Sequence, residues 1–129
     1  MEPHPALIAI VDDDVSAREG ISDLVSTVGF DVHAFASAED FLLSPDLGRC
    51  VCLIVDMKLG AMSGLDLYDH LTAVGSSIPT IVITAFPDDQ IRLRALAAGV
   101  VCYLRKPFVA QELLDCLRCA LGRPPRAEF

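Results

Sequence analysis

Five short apolar runs recur along this chain: Leu7–Val11, Asp31–Phe35, Val51–Val55, Thr80–Thr84 and Val100–Leu104. Each is rich in Val, Ile or aromatic residues and short enough to be a strand. The segments between them carry helical spacing. In Ser16–Val28, the residues Ile21, Leu24, Val25 and Val28 mark one face, and Gly29 supplies the stop. Ser37 before Ala38-Glu39-Asp40 reads as an N-cap opening a short helix through Leu43. Three further helices are predicted over Leu65–Val74, Asp89–Ala98 and Val109–Leu121, ending at Gly75, Gly99 and Gly122.

Strict β-α alternation with nearly all-apolar strands requires a parallel sheet covered by helices on both faces. Right-handed crossovers then restrict the topology to a doubly wound α/β sheet. For five parallel strands and five helices, the expected order is the flavodoxin-like 2-1-3-4-5. The 129 residues are one domain's worth, and 53% apolar content suffices for a core without metals or disulfides. No apolar run is long enough to span a bilayer, so no membrane partner is expected. Met1-Glu2-Pro3-His4-Pro5 reads as a frayed terminus rather than a leader. With 18 acids against 10 bases, the formal charge of −8 argues against direct nucleic-acid binding by this domain. Five cysteines is an odd number for a disulfide framework and points to a reducing, cytoplasmic compartment. Cys50-x-Cys52 and Cys116-x-x-Cys119 are read as buried, inert thiols.

Ligands of such sheets bind at the carboxyl ends of the strands, beside the point where the strand order reverses. The first strand ends in Asp12-Asp13-Asp14, the third in Asp56 and the fourth in Thr84, while the fifth runs into Lys106. Strands 1 and 3 are neighbours in the expected order, so Asp12, Asp13 and Asp56 should converge. Carboxylates a few ångströms apart repel by roughly 1–4 kcal/mol per pair, depending on the local dielectric. Such a cluster is tolerable when it holds a cation, and all-oxygen ligands point to a hard ion, Mg²⁺ before Ca²⁺. Lys106 and Thr84 add a positive charge and a hydroxyl to the same edge, which together suit phosphoryl handling.

Ile10-Val11-Asp12-Asp13, Leu53-Ile54-Val55-Asp56, Met62-Ser63-Gly64, Ile83-Thr84-Ala85 and Lys106-Pro107-Phe108 together resemble the receiver domains of two-component response regulators, from Leu7 to Leu121. The resemblance implies that Asp56 attacks the phosphorus of a phosphohistidine on a sensor histidine kinase or phosphotransfer protein, or of a small donor such as acetyl phosphate. It implies that Asp13, Asp56 and the backbone carbonyl of Lys58 bind Mg²⁺, with Mn²⁺ as a substitute and Asp12 acting directly or through water. Lys106, the Thr84 hydroxyl and the Ala85 N–H would hold the phosphoryl oxygens. Tyr103 matches the aromatic residue that turns inward when Thr84 moves; the alternative is an amphipathic Tyr at a sheet edge. The family's Lys–Pro bond is usually cis. The fourth helix, fifth strand and fifth helix would present the readout face, with homodimerisation on phosphorylation as one outcome. Leu93, Leu96, Leu113, Leu117 and Leu121 on these helices are core or interface candidates, core being the expectation for most. A domain of this kind is a switch, catalysing only its own phosphorylation and dephosphorylation.

Phe35-x-Ser37-Ala38-Glu39-x-Phe41-Leu42 and Met62-Ser63-Gly64-Leu65 are similar to receivers of the nodulation and nitrogen-fixation regulator type, which continue into a helix-turn-helix DNA-binding domain. Residues 1–122 are accordingly read as the receiver. The Pro-rich segment 123–129 is either a tail or the start of a linker. Two departures from the family pattern stand out. Gly60 replaces the usual Pro four residues after the phosphoacceptor, predicting a looser Lys58–Gly64 loop, and Phe86-Pro87-Asp88-Asp89 follows the Thr84 segment. Lys58 and Phe86 are placed by the resemblance on the path of the water that hydrolyses the phosphoryl bond; alternatively, Pro87 turns Phe86 away. Asp14 is read as a charge at a helix N-terminus. The enzymatic rival is a small haloacid-dehalogenase-like phosphatase using Asp12, with Asp14 as its acid, but it leaves Asp56 without a role. A flavin- or nucleotide-binding module would need small residues where three acids stand.

Overall fold

The computed structural model describes residues 6–122; the Met1–Pro5 terminus and the 123–129 tail lie outside the described residues. The strands are β1 (Leu7–Val11), β2 (Asp31–Phe35), β3 (Cys50–Asp56), β4 (Thr80–Thr84) and β5 (Cys102–Arg105). The helices are α1 (Val15–Thr27), α2 (Ala38–Leu42), α3 (Gly64–Ala73), α4 (Asp89–Ala98) and α5 (Ala110–Ala120). All strand pairs are parallel, in the order β2-β1-β3-β4-β5. The flavodoxin-like expectation therefore holds.

Short polar side chains start most of the helices. Asp14 accepts from the Ala17 N–H at 2.8 Å, Ser37 from Asp40 at 3.1 Å, and Asp88 from both Gln90 and Ile91. Ser63 and Asp66 bond reciprocally at the start of α3, satisfying two N–H groups that the helix itself cannot. At α5 the Glu112 carboxylate reaches back to the Val109 N–H at 3.0 Å.

Alternation along the strands builds two cores. Ile8, Ile10, Ile54, Ile81 and Ile83 face α1 and α5, meeting Ile21, Val25, Leu113 and Leu117. Ala9, Val11, Leu53, Val55 and Val82 face the other helices, meeting Phe41, Leu65, Leu67 and Ala95. Each fully buried Ile or Leu contributes about 1.5–3 kcal/mol, so the two layers hold the sheet without cross-links.

The differences from the sequence reading are local. The fifth strand begins at Cys102 rather than Val100, because the Val100 N–H closes the end of α4 on the Ala95 carbonyl at 3.1 Å. The third strand is longer than expected, taking in Asp56, which pairs with Ile83 of β4. A single 3₁₀ turn over Leu47–Arg49 was not anticipated. Leu113 and Leu117 are core as expected and Leu121 is half-buried, but Leu93 and Leu96 are exposed at 59% and 39%. Only Ala95 of α4 is buried, so this helix touches the sheet through a narrow stripe. The cysteines also differ from the expectation. Cys52 and Cys116 are buried, Cys50 and Cys102 half-buried, and Cys119 exposed. Among the described residues, no helix is long and apolar enough to cross a membrane.

Candidate functional site

Because β1 and β3 are adjacent, the end of one brings Asp12 and Asp13 beside Asp56 at the end of the other. One ligand oxygen from each lies within 4.8 Å of the others. Asp12 is completely buried and fully engaged. Its Oδ1 accepts the Asp14 N–H at 2.9 Å and its Oδ2 accepts from Lys106 Nζ at 2.9 Å. Lys106 Nζ also lies 3.5 Å from Asp56 Oδ2, so one ammonium bridges two carboxylates from separate strands. Asp13 is exposed and carries no such partner among the described residues.

The electrostatics are uneven. Burial, followed by the neighbouring charge of Asp12, raises the Asp56 carboxyl above its ordinary pKa, and Lys106 and the Lys58 N–H offset only part of this. Burial works against the charge on Lys106, yet its bonds and attractions to Asp12 and Asp56 prevail and its pKa is raised. Ionised, three carboxylates face one ammonium, an excess of two negative charges. Hard oxygen donors with that imbalance fit a divalent, hard cation.

A cavity of 440 Å³ opens over these residues and is lined by Asp13, Asp56, Lys58, Thr84, Ala85, Phe86 and Lys106, with Asp14 and Ala17 at its α1 side. Thr84 is buried at the end of β4, and its hydroxyl accepts the Phe86 N–H at 3.0 Å. The backbone N–H of Lys58 points to Asp56 Oδ1 at 3.4 Å, while its ammonium lies 4.7 Å from the centroid of the Phe86 ring. Pro87 therefore does not turn Phe86 away from the cavity. The Lys106–Pro107 peptide is cis. Tyr103 stands apart from the cavity, half-buried in β5 against the α3/α4 layer, its hydroxyl buried and without a partner among the described residues. Asp14 caps α1 and does not join the carboxylate cluster.

Gly60 explains one departure from the family pattern. Its φ of +81° is closed to proline, whose ring fixes φ near about −65°. The sequence reading passed over two residues. Arg18 Nη1 donates to the Asp12 carbonyl at 2.7 Å, pinning the acidic turn to α1; nothing in its spacing signals this. Gly64 packs so closely that a Cβ there would sit 2.5 Å from the Asp56 carbonyl oxygen. The sequence marks Gly64 only as part of the Met62-Ser63-Gly64 turn.

A sequence model of the response regulator receiver domain matches residues 8–118. The chain is 38% identical to the response regulator protein TodT of Pseudomonas putida, over 98% of this chain and 56% of that protein. It is 39% identical to nodulation protein W of Bradyrhizobium diazoefficiens, over 92% of this chain and 52% of that protein. The solved structure of FixJ-N superposes with a TM-score of 0.80 at 30% identity, covering 95% of this chain and 96% of that one. The chain thus spans about half the length of the curated relatives it matches.

Proposed function

The chain belongs to the response regulator receiver family, and from that premise we propose that it is a Mg²⁺-dependent switch that takes a phosphoryl group onto Asp56. Receiver domains are signalling switches that work with histidine kinases and bind Mg²⁺ through acidic residues. The observation that carries the reading to these residues is the double contact of Lys106 Nζ with Asp12 and Asp56, beside a three-carboxylate cluster open to a cavity.

In this reading Asp13, Asp56 and the Lys58 carbonyl hold Mg²⁺, with Mn²⁺ as a substitute. Asp12, enclosed by Lys106 and the Asp14 N–H, acts through water. The ion supplies charge neutralisation to the incoming phosphoryl oxygens. An Asp56 carboxylate oxygen forms the new bond to phosphorus as the bond to the donor's imidazole nitrogen, or to acetate oxygen, breaks. Lys106, the Thr84 hydroxyl and the Ala85 N–H then hold the phosphoryl oxygens, stabilising charge that positioned donors meet without reorganisation. The Thr84 hydroxyl accepts the Phe86 N–H and keeps its own O–H to donate to the phosphoryl group. In this reading Thr84 moves toward that group and Tyr103 responds, changing the α4-β5-α5 face. Exposed Leu93 and Leu96 support that face as the output or homodimer surface. Residues 1–122 form the receiver unit in this reading, with 123–129 a tail or linker. Asp12 as a phosphatase nucleophile loses support, since both its oxygens are engaged and buried.

Acetyl phosphate with Mg²⁺ should add one acid-labile phosphoryl group per chain, read by intact mass. Asp56→Asn and EDTA should each abolish it. Undiminished labelling of the Asn variant, or labelling in EDTA, would remove Asp56 and the metal from the mechanism.

A further inference from the structure

Every oxygen of Asp12 is committed. Its carboxylate takes the Asp14 N–H and the Lys106 ammonium, and its carbonyl takes Arg18 Nη1 at 2.7 Å. The other bonds that shape this turn come from the backbone. The Asp12 N–H donates to the Phe35 carbonyl at 3.1 Å, the Ala17 N–H to the Asp14 carboxylate, and the Arg18 N–H to the Asp14 carbonyl at 3.0 Å. Arg18 is thus the one side chain, among the described residues, that bonds to the backbone of the acidic turn. It is half-buried and lines a cleft with Glu19, Ser22, Asp23 and Ala34. Neither Glu19 nor Asp23 forms an ion pair with it among the described residues, so the guanidinium is spent on a neutral carbonyl although acids surround it.

What that bond fixes is the next residue. A peptide unit is planar, so the Asp12 carbonyl, the Asp13 nitrogen and the Asp13 Cα move as one body. A rotation that takes the carbonyl off Arg18 therefore re-aims Asp13. Asp12 and Asp56 are both held by Lys106, whereas the Asp13 carboxylate is exposed and has no hydrogen-bond partner among the described residues. We propose that Arg18 is a positioning residue of the metal site, which holds the Asp12 carbonyl and so keeps the Asp13 carboxylate within reach of the ion that Asp56 shares. This rests on the reading of Asp13 and Asp56 as Mg²⁺ ligands. A charged donor makes a stronger bond to a carbonyl than a neutral one, and the rigid guanidinium fork holds its direction. The charge itself works the other way, because a positive group beside the cluster repels a divalent cation. Removing Arg18 thus has two effects of opposite sign on Mg²⁺: the lost charge tightens binding and the lost aim weakens it. If Arg18 positions Asp13, the weakening prevails.

The full chain is titrated with Mg²⁺ alone, by calorimetry at a temperature where each variant is folded. Arg18→Met keeps an apolar stem but has neither donor nor charge. It should bind Mg²⁺ about tenfold more weakly, as loss of a group that orients a metal ligand does. Arg18→Lys keeps the charge and a donor and should recover most of the wild-type affinity. Without metal, the Asp13 amide resonance should shift in Arg18→Met and return toward its wild-type position in Arg18→Lys. If Arg18→Met does not fold, Arg18→Gln, neutral and two bonds short of the Nη1 position, carries the same comparison. A neutral variant that binds Mg²⁺ as tightly as wild type, or more tightly, would overturn the proposal even if it melts lower, since Arg18 would then be only a charge or a strut. A lysine variant no tighter than the neutral one would overturn it too. Wild type that takes up no Mg²⁺ would remove the metal reading and this proposal together, whereas normal wild-type binding beside an unaffected neutral variant removes this proposal alone.

Discussion

Lys58 Nζ lies 4.7 Å from the centroid of the Phe86 ring, at the rim of the cavity over Asp56. Hydrolysis of a phosphoryl group on Asp56 needs a water in line with the Asp56–phosphorus bond, on the side away from the carboxylate. Phe86 offers that water no hydrogen bond, and the Lys58 ammonium is a point charge suited to the phosphoryl oxygens. A cation over an exposed ring is worth only about 0.5–1 kcal/mol, and Phe86 is 68% exposed, so this cover opens readily and its effect is modest. Phe86→Glu and Lys58→Asn should each speed loss of the phosphoryl group about two- to fivefold, the equivalent of about 0.5–1 kcal/mol of barrier. Dephosphorylation rates of the purified phosphoproteins check this; unchanged rates in both variants would mean that neither side chain gates the water. The Asp12, Asp13, Asp56, Thr84 and Lys106 positions were legible in sequence because each follows directly from where a strand ends. The Lys58–Phe86 contact joins two loops, and Arg18 reaches back from a helix to a carbonyl, so neither leaves a pattern along the chain.

At the scale of elements, α3 is set by one close approach. Gly64 donates its N–H to the Met57 carbonyl at 2.9 Å while its Cα faces the Asp56 peptide, so the helix starts against the end of β3. A methyl group there would lie 2.5 Å from the Asp56 carbonyl oxygen, which is backbone and cannot swing aside. Gly64→Ala should therefore destabilise the fold by about 1–3 kcal/mol, as overpacking does, and lower the phosphorylation rate by displacing Asp56. Denaturant unfolding with the acetyl phosphate assay reads both, and a variant equal to wild type in each would show that the contact relaxes freely. The existence of every strand and α-helix was legible from apolar runs punctuated by polar caps and glycines. Their packing was less so. A spacing that places Leu93 and Leu96 on a helix does not say how wide a stripe the sheet covers, and here only Ala95 is buried. A helix held by so little can shift at low cost, so a phosphoryl mimic such as beryllofluoride should perturb amide resonances in α4, β5 and α5. Perturbation confined to α1 and α2 would exclude that face as the readout.

Over the whole molecule, the sheet order unites residues that are far apart in the chain. Strand 3 inserts beside strand 1, bringing Asp56 to Asp12 and Asp13, and the end of the last strand delivers Lys106 to Asp56 and Asp12, 50 and 94 positions away. Like charges are thereby fixed together by the fold and set free by unfolding. The metal-free protein carries that repulsion as a cost; the pKa of Asp56 is raised first by burial and then by the charge of Asp12, and Lys106 offsets only part of this. A cation that binds the folded cluster and not the dispersed chain stabilises by mass action. At a hundredfold excess over its dissociation constant the gain is about 2.7 kcal/mol, on the order of 10 °C in melting temperature for a domain of this size. Mg²⁺ should thus raise the melting temperature of the wild-type protein. Asp13→Asn should behave oppositely in two respects. Asp13 is exposed, so removing its charge breaks no buried contact and only lessens the repulsion; the metal-free variant should melt higher than metal-free wild type. With one carboxylate gone, it should no longer respond to Mg²⁺. Thermal melts of both proteins with and without Mg²⁺ decide the matter. A wild type indifferent to Mg²⁺ would mean that the three carboxylates hold no metal, and a variant that melts lower yet still responds would mean that Asp13 supports the fold without binding the ion.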